Sequence, residues 1–398
     1  MNTFTKNRQL VYLFLCNFVT LFVGLGIFPL LPLHAAEYGA NSFMIGLYMA
    51  VTYISISIGS IVPSRLPERM PRKLVFQFAA LIGIPSLFLL GQAKSLWQVV
   101  ILTAVVWFVG GIELSIANVM TGLHTTPSTR GKIFGLISLA SPIGALIGGI
   151  AVGQLVQQYG YPAMFTTAAI VWSIWPILAI WKIEDKQNSV STGKKLKSDS
   201  TTHPNTVFLF LLLTVFLASM TVSIARLGLS LSMKAGQFTA SDISTANAFA
   251  GLVTIPVTFA VGVMSDKLGR KTSLVFGYLI AAGSALMLMG ARDLWQFWVA
   301  SFLVMIARNV ISSMSSAFAT DMLDLNALGR ALPLVGTVNW AAGAMGFAGT
   351  GLMMDLFGAS NLYRTATIIA LLAVFTAMAL PVGLKGFRAR AVTESAKN

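Results

Sequence analysis

Apolar residues fill twelve long stretches of this chain, at 10–33, 43–63, 74–91, 96–121, 133–157, 162–182, 207–232, 241–264, 273–290, 294–320, 330–354 and 362–383. Each is rich in Leu, Ile, Val, Phe and Ala and approaches or exceeds the roughly 20 residues an α-helix needs to cross a bilayer. None alternates polar and apolar positions as a barrel strand does. Hydrocarbon offers no partner for backbone N–H and C=O groups, so such stretches fold as helices that bond internally. The pattern predicts an all-α integral membrane protein of twelve transmembrane helices.

The first stretch is too long for a signal-peptide core, and Pro32, Leu33 and His34 follow it in place of a small-residue cleavage site; it reads as a retained helix. One polar interval, 183–206, carries Ser, Thr, Asn, Asp and four Lys with few apolar residues, and such a composition cannot bury a core. It divides the chain into six helices at 1–182, a linker at 183–206 and six helices at 207–398. Shifting the chain by 198 residues superposes landmarks of the two parts. Arg72 and Lys73 fall on Arg270 and Lys271, and Leu96, Trp97 and Gln98 on Leu294, Trp295 and Gln296. Gly131, Gly148, Gly153 and Gly160 fall on Gly329, Gly346, Gly351 and Gly358. Six helices return the chain to its starting side, so the two bundles are parallel, pseudo-symmetric repeats.

Composition fits this picture. Of 398 residues, 56% are hydrophobic and 10% charged, against about 25% charged in soluble domains; the mean hydropathy is +0.78. The net charge of +14 would suit nucleic acid in a soluble protein, but these Lys and Arg lie in short intervals between apolar stretches, so a nucleic-acid partner is not expected. Twenty-one of them fall on the side of the termini and the linker and four (Lys94, Lys234, Arg292, Arg364) on the other. The positive-inside rule then places both termini and the linker in the cytoplasm, in the cytoplasmic (inner) membrane of a cell. The single cysteine, Cys16, excludes an intramolecular disulfide, and His34, His124 and His203 lack ligand spacing; no metal is expected. There is no phosphate-binding Gly loop ending in Lys-Ser/Thr, and no nucleophile–base constellation. Neither an ATP-driven pump nor an enzyme is expected, and no cofactor. Nothing in the sequence calls for an oligomer, and a monomer is expected.

Polar residues within the spans are the candidates for function. Glu113, Arg226 and Arg308 lie well inside apolar stretches, where an ionised group costs about 2.5–3.5 kcal/mol on insertion scales. Such residues face a cavity or one another; a static ion pair holding helices together is the plain alternative. Ser312, Ser315 and Ser316 follow Arg308 at helical spacing and make one face of that helix polar. Glu113 is the one carboxylate deep in a span and the candidate proton carrier. Asn17, Tyr53, Asn118, Asn247, Asn339 and Trp340 are further candidates for a substrate cavity, although a lone Asn in a span also serves as interhelical glue.

Two motifs point to a family. The interval between the eighth and ninth stretches reads Gly262-Val-Met-Ser-Asp266-Lys-Leu-Gly269-Arg270-Lys271. It resembles the signature loop of the major facilitator superfamily, Gly-x-Leu-x-Asp-Arg-x-Gly-Arg-Lys, and stands in the matching loop. The repeat-related interval reads Ser64-Arg-Leu-Pro-Glu68-Arg69-Met-Pro71-Arg72-Lys73, so Ser64, Glu68 and Pro71 replace Gly, Asp and Gly. The fifth stretch carries Pro142, Gly144, Gly148 and Gly149, similar to the Gly-Pro-rich motif of proton-coupled exporters in that superfamily, with Ser141 before the proline. The resemblance implies two six-helix bundles about a central cavity, rocking to expose it alternately, with the charged loops as a latch at the cytoplasmic side. It also implies a secondary transporter, here read as a proton-coupled exporter of drug-like or other small organic compounds across the bilayer, a reading that the 18 methionines suit. Asn17 stands where many such exporters have a helix 1 acid, and Trp107 where many have an Arg. The alternatives are an uptake symporter for a small anionic or polar solute, motivated by Arg226 and Arg308, and a transport-dead scaffold or receptor.

Overall fold

The computed structural model describes residues 8–65, 71–123, 133, 136–137, 139–182, 206–322 and 325–380. Within these residues each of the twelve apolar stretches falls for most of its length on helix, as the need for internally bonded backbone demands. Helix α1 (Arg8–Ile27) passes through a 3-10 turn (Phe28–Leu30) into α2 (Leu31–Glu37). Then come α3 (Ser42–Arg65), α4 (Arg72–Leu90), α5 (Leu96–Leu123) and α6 (Ala140–Lys182). The second set is α7 (Thr206–Ala235), α8 (Ala240–Leu268), α9 (Arg270–Gly290), α10 (Leu294–Met322) and α11 (Leu325–Met378). Among the described residues, eight helices are long and apolar enough to cross a membrane, and Leu74–Leu90 is a shorter apolar helix.

Helices α6 and α11 each hold two of the apolar stretches and turn back at a glycine. Gly160 has φ 77° and ψ 176°, and Gly358 has φ 76° and ψ 171°. A side chain is strained in that region of backbone space, so glycine is required at both turns. The second arm of α6 runs antiparallel to α4: Phe165 meets Gly91 and Trp172 meets Gly83. The end of the bundle where α6 stops at Lys182 and α7 starts at Thr206 is termed the linker end, and the opposite one the far end.

The structure repeats where the sequence does. The two turning glycines stand 198 residues apart, and so do the caps of α3 and α8. Asn41 Oδ1 accepts from Met44 N at 2.9 Å, and Thr239 forms a reciprocal capping box with Asp242. Each cap satisfies amides that the first helical turn leaves unpaired.

The two sets of helices meet along two seams, α3 against α11 and the first arm of α6 against α8. Both seams are tightest at the far end. A Cβ built on Gly351 would fall 2.9 Å from the Cα of Gly46, and one on Gly153 would fall 2.8 Å from the Cβ of Ser244. Gly46 and Ser244 are repeat-related, as are Gly153 and Gly351, so the two contacts are one contact made twice. A hydrogen bond crosses each seam: Phe43 N donates to Asp355 Oδ2 at 2.9 Å, and Ser244 Oγ donates to the Gly149 carbonyl. Around the outside, large apolar side chains face outward, with Leu81 67%, Ile170 65% and Phe375 74% exposed. A protein in water does not leave so much apolar surface bare; this surface is solvated by lipid.

The seams yield a sharp test. Gly351→Val places a side chain against backbone that cannot move aside, whereas a Cβ on Gly349, two residues away, meets nothing within 4 Å. The expected cost of the first is at or above about 1–3 kcal/mol, read as a lowered melting temperature of the detergent-solubilised protein, with Gly349→Val near wild type.

Candidate functional site

Between the two sets of helices, below the far-end seams, lies a cavity of two chambers. The smaller, about 90 Å³, is walled by apolar and aromatic side chains including Phe28, Tyr53, Trp107, Trp172 and Trp340. The larger, about 520 Å³, is bordered by the first arm of α6, α8 and α10 and includes Asn247, Thr254, Asn309, Ser312 and Ser313. A volume of several hundred Å³ suits a small organic solute. Arg226 and Arg308 line both chambers and mark where they join.

Arg226 enters from α7, toward its far end, and is only 7% exposed. One terminal nitrogen, Nη1, donates to the Tyr53 hydroxyl at 2.8 Å, and Cζ sits 3.8 Å from the centroid of the Phe28 ring. A desolvated cation over an aromatic face gains roughly 2 kcal/mol. Its Nε has no hydrogen-bond partner. Tyr53 is wedged among Phe28, Trp340 and Phe347, with ring centroids at 5.8, 5.2 and 4.6 Å. Gly343 makes room for it, since a Cβ there would fall 2.6 Å from Tyr53 Cδ1. Arg308, halfway along α10, is partly exposed to the cavity. Among the described residues it has no hydrogen-bond or ion-pair partner.

Glu113 stands apart from both arginines. It is fully buried on α5 and lines neither chamber. Its Oε2 accepts from Thr20 Oγ1 at 3.0 Å and from Trp172 Nε1 at 2.9 Å, while Oε1 has no partner. Among the described residues it forms no ion pair, so the alternative of a static bridge to Arg226 or Arg308 is absent there. Thr20 and Trp172 do line the aromatic chamber, so the carboxyl lies one side chain behind the cavity wall.

Of the other candidates, Tyr53, Asn247 and Trp340 come together in the wall. Asn339 binds helices together, accepting from Ser219 Oγ at 2.5 Å and donating to the Val335 carbonyl at 3.0 Å. Asn17 is buried in α1 and Asn118 is exposed on α5, and neither borders a chamber. Ser312 lines the larger chamber, but Ser315 is buried and bonds back to the Ser312 carbonyl. His34 is enclosed by Tyr38, Tyr161 and Phe165.

Residues of the fifth-stretch motif divide between two tasks. Gly144 and Gly148 let α1 approach at Phe22, and Gly149 lets α8 approach at Ser244 and Ala248. Pro142 and Gly149 also border the larger chamber. In the charged loop of the second set, Gly269 has φ 90° and joins α8 to α9. Arg270 pairs with Asp321 at 3.3 Å and donates to Ser265 Oγ at 2.5 Å. Lys271 donates to the carbonyls of Met378 at 2.7 Å and Leu380 at 2.5 Å, where a cation suits the negative end of a helix. These contacts tie α9 to the linker ends of α10 and α11, within one set. Gly262 and Asp266 lie on α8, and Arg72 and Lys73 begin α4; the side chains of Asp266, Arg72 and Lys73, like Glu68 and Arg69 altogether, lie outside the described residues.

Sequence reasoning missed Thr20, Phe28, Phe347, Trp172 and Asn309. Apart from Asn309, which adjoins a flagged arginine, they are ordinary residues for a membrane helix and carry no signal until packing brings them to a buried charge.

A family model described as Major Facilitator Superfamily matches residues 13–236 and 211–394. The multidrug resistance protein MdtG of Citrobacter koseri is 26% identical over 293 residues, covering 70% of this chain and 71% of that protein. MdtG of Serratia proteamaculans is 26% identical over 300 residues, 70% of each. A crystal structure of the nucleoside transporter NupG superposes with a TM-score of 0.78 at 12% identity, over 94% of this chain and 99% of that one. One of the peptide transporter POT in complex with alafosfalin gives 0.76 at 13% identity, over 93% and 94%. At such identities the likeness to solved structures is one of fold. Its helices, its central cavity and the family model agree: the chain is a multi-pass membrane transporter and belongs to the major facilitator superfamily.

Proposed function

We propose that the protein is a proton-coupled exporter of small organic compounds that works by alternating access. The observation that carries this reading is Glu113, a carboxyl buried with no cation beside it among the described residues, one side chain behind the wall of the central cavity. An ionised group so placed costs several kcal/mol, a cost that a bound proton removes. Thr20 and Trp172 hold the carboxyl and also face the cavity, so a solute that shifts them alters the carboxyl's surroundings. Proton binding and cavity occupancy then bias the same two-state bundle, as coupling requires. The sequence relatives are named multidrug resistance proteins, and moving compounds out of the cell is the direction that gives resistance.

The units at 1–182 and 207–398 act in this reading as the two rocking bodies, with 183–206 between them. The linker end is cytoplasmic, both seams are closed on the outside, and the cavity lies on their inner side. Charged residues at the start of α9 brace the second body. A second reading, uptake of a small anionic or polar solute with protons, is favoured by Arg226 and Arg308 at the chamber junction. The direction of proton movement separates the two.

In proteoliposomes loaded with a pH-sensitive dye, export by antiport moves substrate and protons in opposite directions, and movement in the same direction would establish the uptake reading instead. Glu113→Gln, isosteric but unable to ionise, is expected to lower substrate-dependent proton flux at least about tenfold while substrate binding stays within a few-fold. Undiminished proton flux in that variant removes Glu113 from the mechanism. For orientation, the native thiol of Cys16 is buried, so Lys94→Cys provides a single accessible thiol. A membrane-impermeant maleimide is expected to label it in intact cells; labelling only after lysis would invert the topology.

A further inference from the structure

We propose that the transported compounds are organic anions with an apolar body: the oxyanion group binds at the chamber junction against Arg226 and Arg308, and an apolar end enters the aromatic chamber. This rests on the transporter reading above and narrows it to a substrate class.

Charge is the first argument. Two guanidinium groups, from α7 and α10, line both chambers. No Asp or Glu is among the described residues of either chamber wall. Glu113, the one deep carboxyl, is committed to Thr20 and Trp172. A cation in a membrane interior ordinarily finds a counter-charge, and the cavity is where one can enter. The same two charges repel a cationic solute, so the wall selects against amines as well as for acids.

Hydrogen-bonding capacity is the second. The guanidinium of Arg226 is fixed in place by the Tyr53 hydroxyl and the Phe28 ring, yet its buried Nε is left without a partner. Arg308 makes no hydrogen bond among the described residues. A planar fork with free N–H groups fits a carboxylate, sulfonate or phosphonate. The arrangement is pre-organised, because stacking rather than an acidic side chain holds Arg226, and no protein carboxylate must be displaced for the ligand to bind.

Shape is the third. On one side of the junction about 90 Å³ is walled, apart from the two arginines themselves, mainly by apolar and aromatic side chains such as Phe28, Trp107 and Trp340, room for an alkyl end or part of a ring. On the other, about 520 Å³ bordered by Asn247, Asn309 and Ser312 accepts a larger body with hydrogen-bonding groups. A small inorganic anion would leave most of this space unfilled, and a neutral hydrocarbon would leave both arginines without a partner.

The test compares matched ligands on the full-length protein in lipid nanodiscs. Binding of 1-naphthylacetate, 1-naphthylacetamide and 1-naphthylethylamine is measured by calorimetry, with decanoate and decanamide as a second pair. The acids are expected to bind at least about tenfold more tightly than the amides, the range of a charge-assisted hydrogen bond, and the amine most weakly. Arg308→Gln is expected to erase the acid preference and Arg308→Lys to retain most of it. Equal binding of acid and amide in both pairs, absence of acid binding up to millimolar concentration, or tighter binding of the amine overturns the inference, and these comparisons need no variant. A preference unchanged in a folded Arg308→Gln protein overturns the assignment of the oxyanion site. Flux of the same compounds in proteoliposomes separates the two levels. Acid-selective binding without movement overturns the claim that the bound anions are the transported compounds and leaves the oxyanion site standing; movement of amide and acid alike overturns the substrate class and leaves transport standing.

Discussion

Hydrocarbon cannot donate or accept a hydrogen bond, and every polar group this chain carries into the membrane must find its partner within the protein. Most do. Tyr48 pairs with Thr103 at 2.9 Å, Tyr278 with Thr214 at 3.0 Å and Tyr363 with Ser232 at 2.7 Å. Thr52, Thr121 and Thr350 each return their hydroxyl to the carbonyl one turn before. The buried atoms left over, among the described residues, are the two ring nitrogens of His34, Trp298 Nε1, Glu113 Oε1 and Arg226 Nε. Trp298 stacks on Phe249 and His34 lies among rings, so packing accounts for their positions. Glu113 and Arg226 are different, because they lie behind and within the cavity wall. Where the internal satisfaction of polar groups breaks down is where the chemistry of transport has to be sought.

The scaffold repeats, and the site arises where the repeat is broken. Arg226 and the Phe28 ring beneath it are repeat-related positions that touch each other across the centre of the molecule. Tyr53, Trp340 and Phe347 crowd the α3–α11 side, whereas their counterparts on the α6–α8 side are Gly251, Pro142 and Gly149. Large rings fill one side of the centre and small residues leave the other empty, which explains why the roomier chamber borders α6 and α8. Two nearly equal halves thus enclose a cavity that is aromatic on one side and hydrogen-bonding on the other.

Much of this was legible in the chain. Length and apolarity located the helices, glycines at constant separation gave the repeat, and the cost of an intramembrane charge singled out Glu113, Arg226 and Arg308. Tyr53, Asn247 and Trp340 were found by the same reasoning and do reach the wall. What the sequence could not convey was facing. These helices are apolar nearly all round, so periodicity does not say which stripe meets lipid, neighbour or cavity. Asn339, Asn17 and Asn118 look like Asn247 in a sequence, and packing alone separates the residue that binds helices from the one that borders space. Glu113 could be read as lining a cavity or as paired with an arginine, and it does neither, because Thr20 and Trp172 stand between.

The far-end seams carry a consequence for the alternating access proposed above. They are made of backbone drawn close over glycine, with one hydrogen bond crossing at Ser244 and one at Phe43. Close contacts contribute about 0.1–0.2 kcal/mol per atom pair and each such hydrogen bond about 1 kcal/mol net. A closure built this way is worth a few kcal/mol, comparable to the gap between two interconverting states of a protein. Under the alternating-access reading proposed above, the far end is therefore a clasp and not a weld: it opens by parting short backbone contacts, with no buried ion pair among the described residues to pull into hydrocarbon.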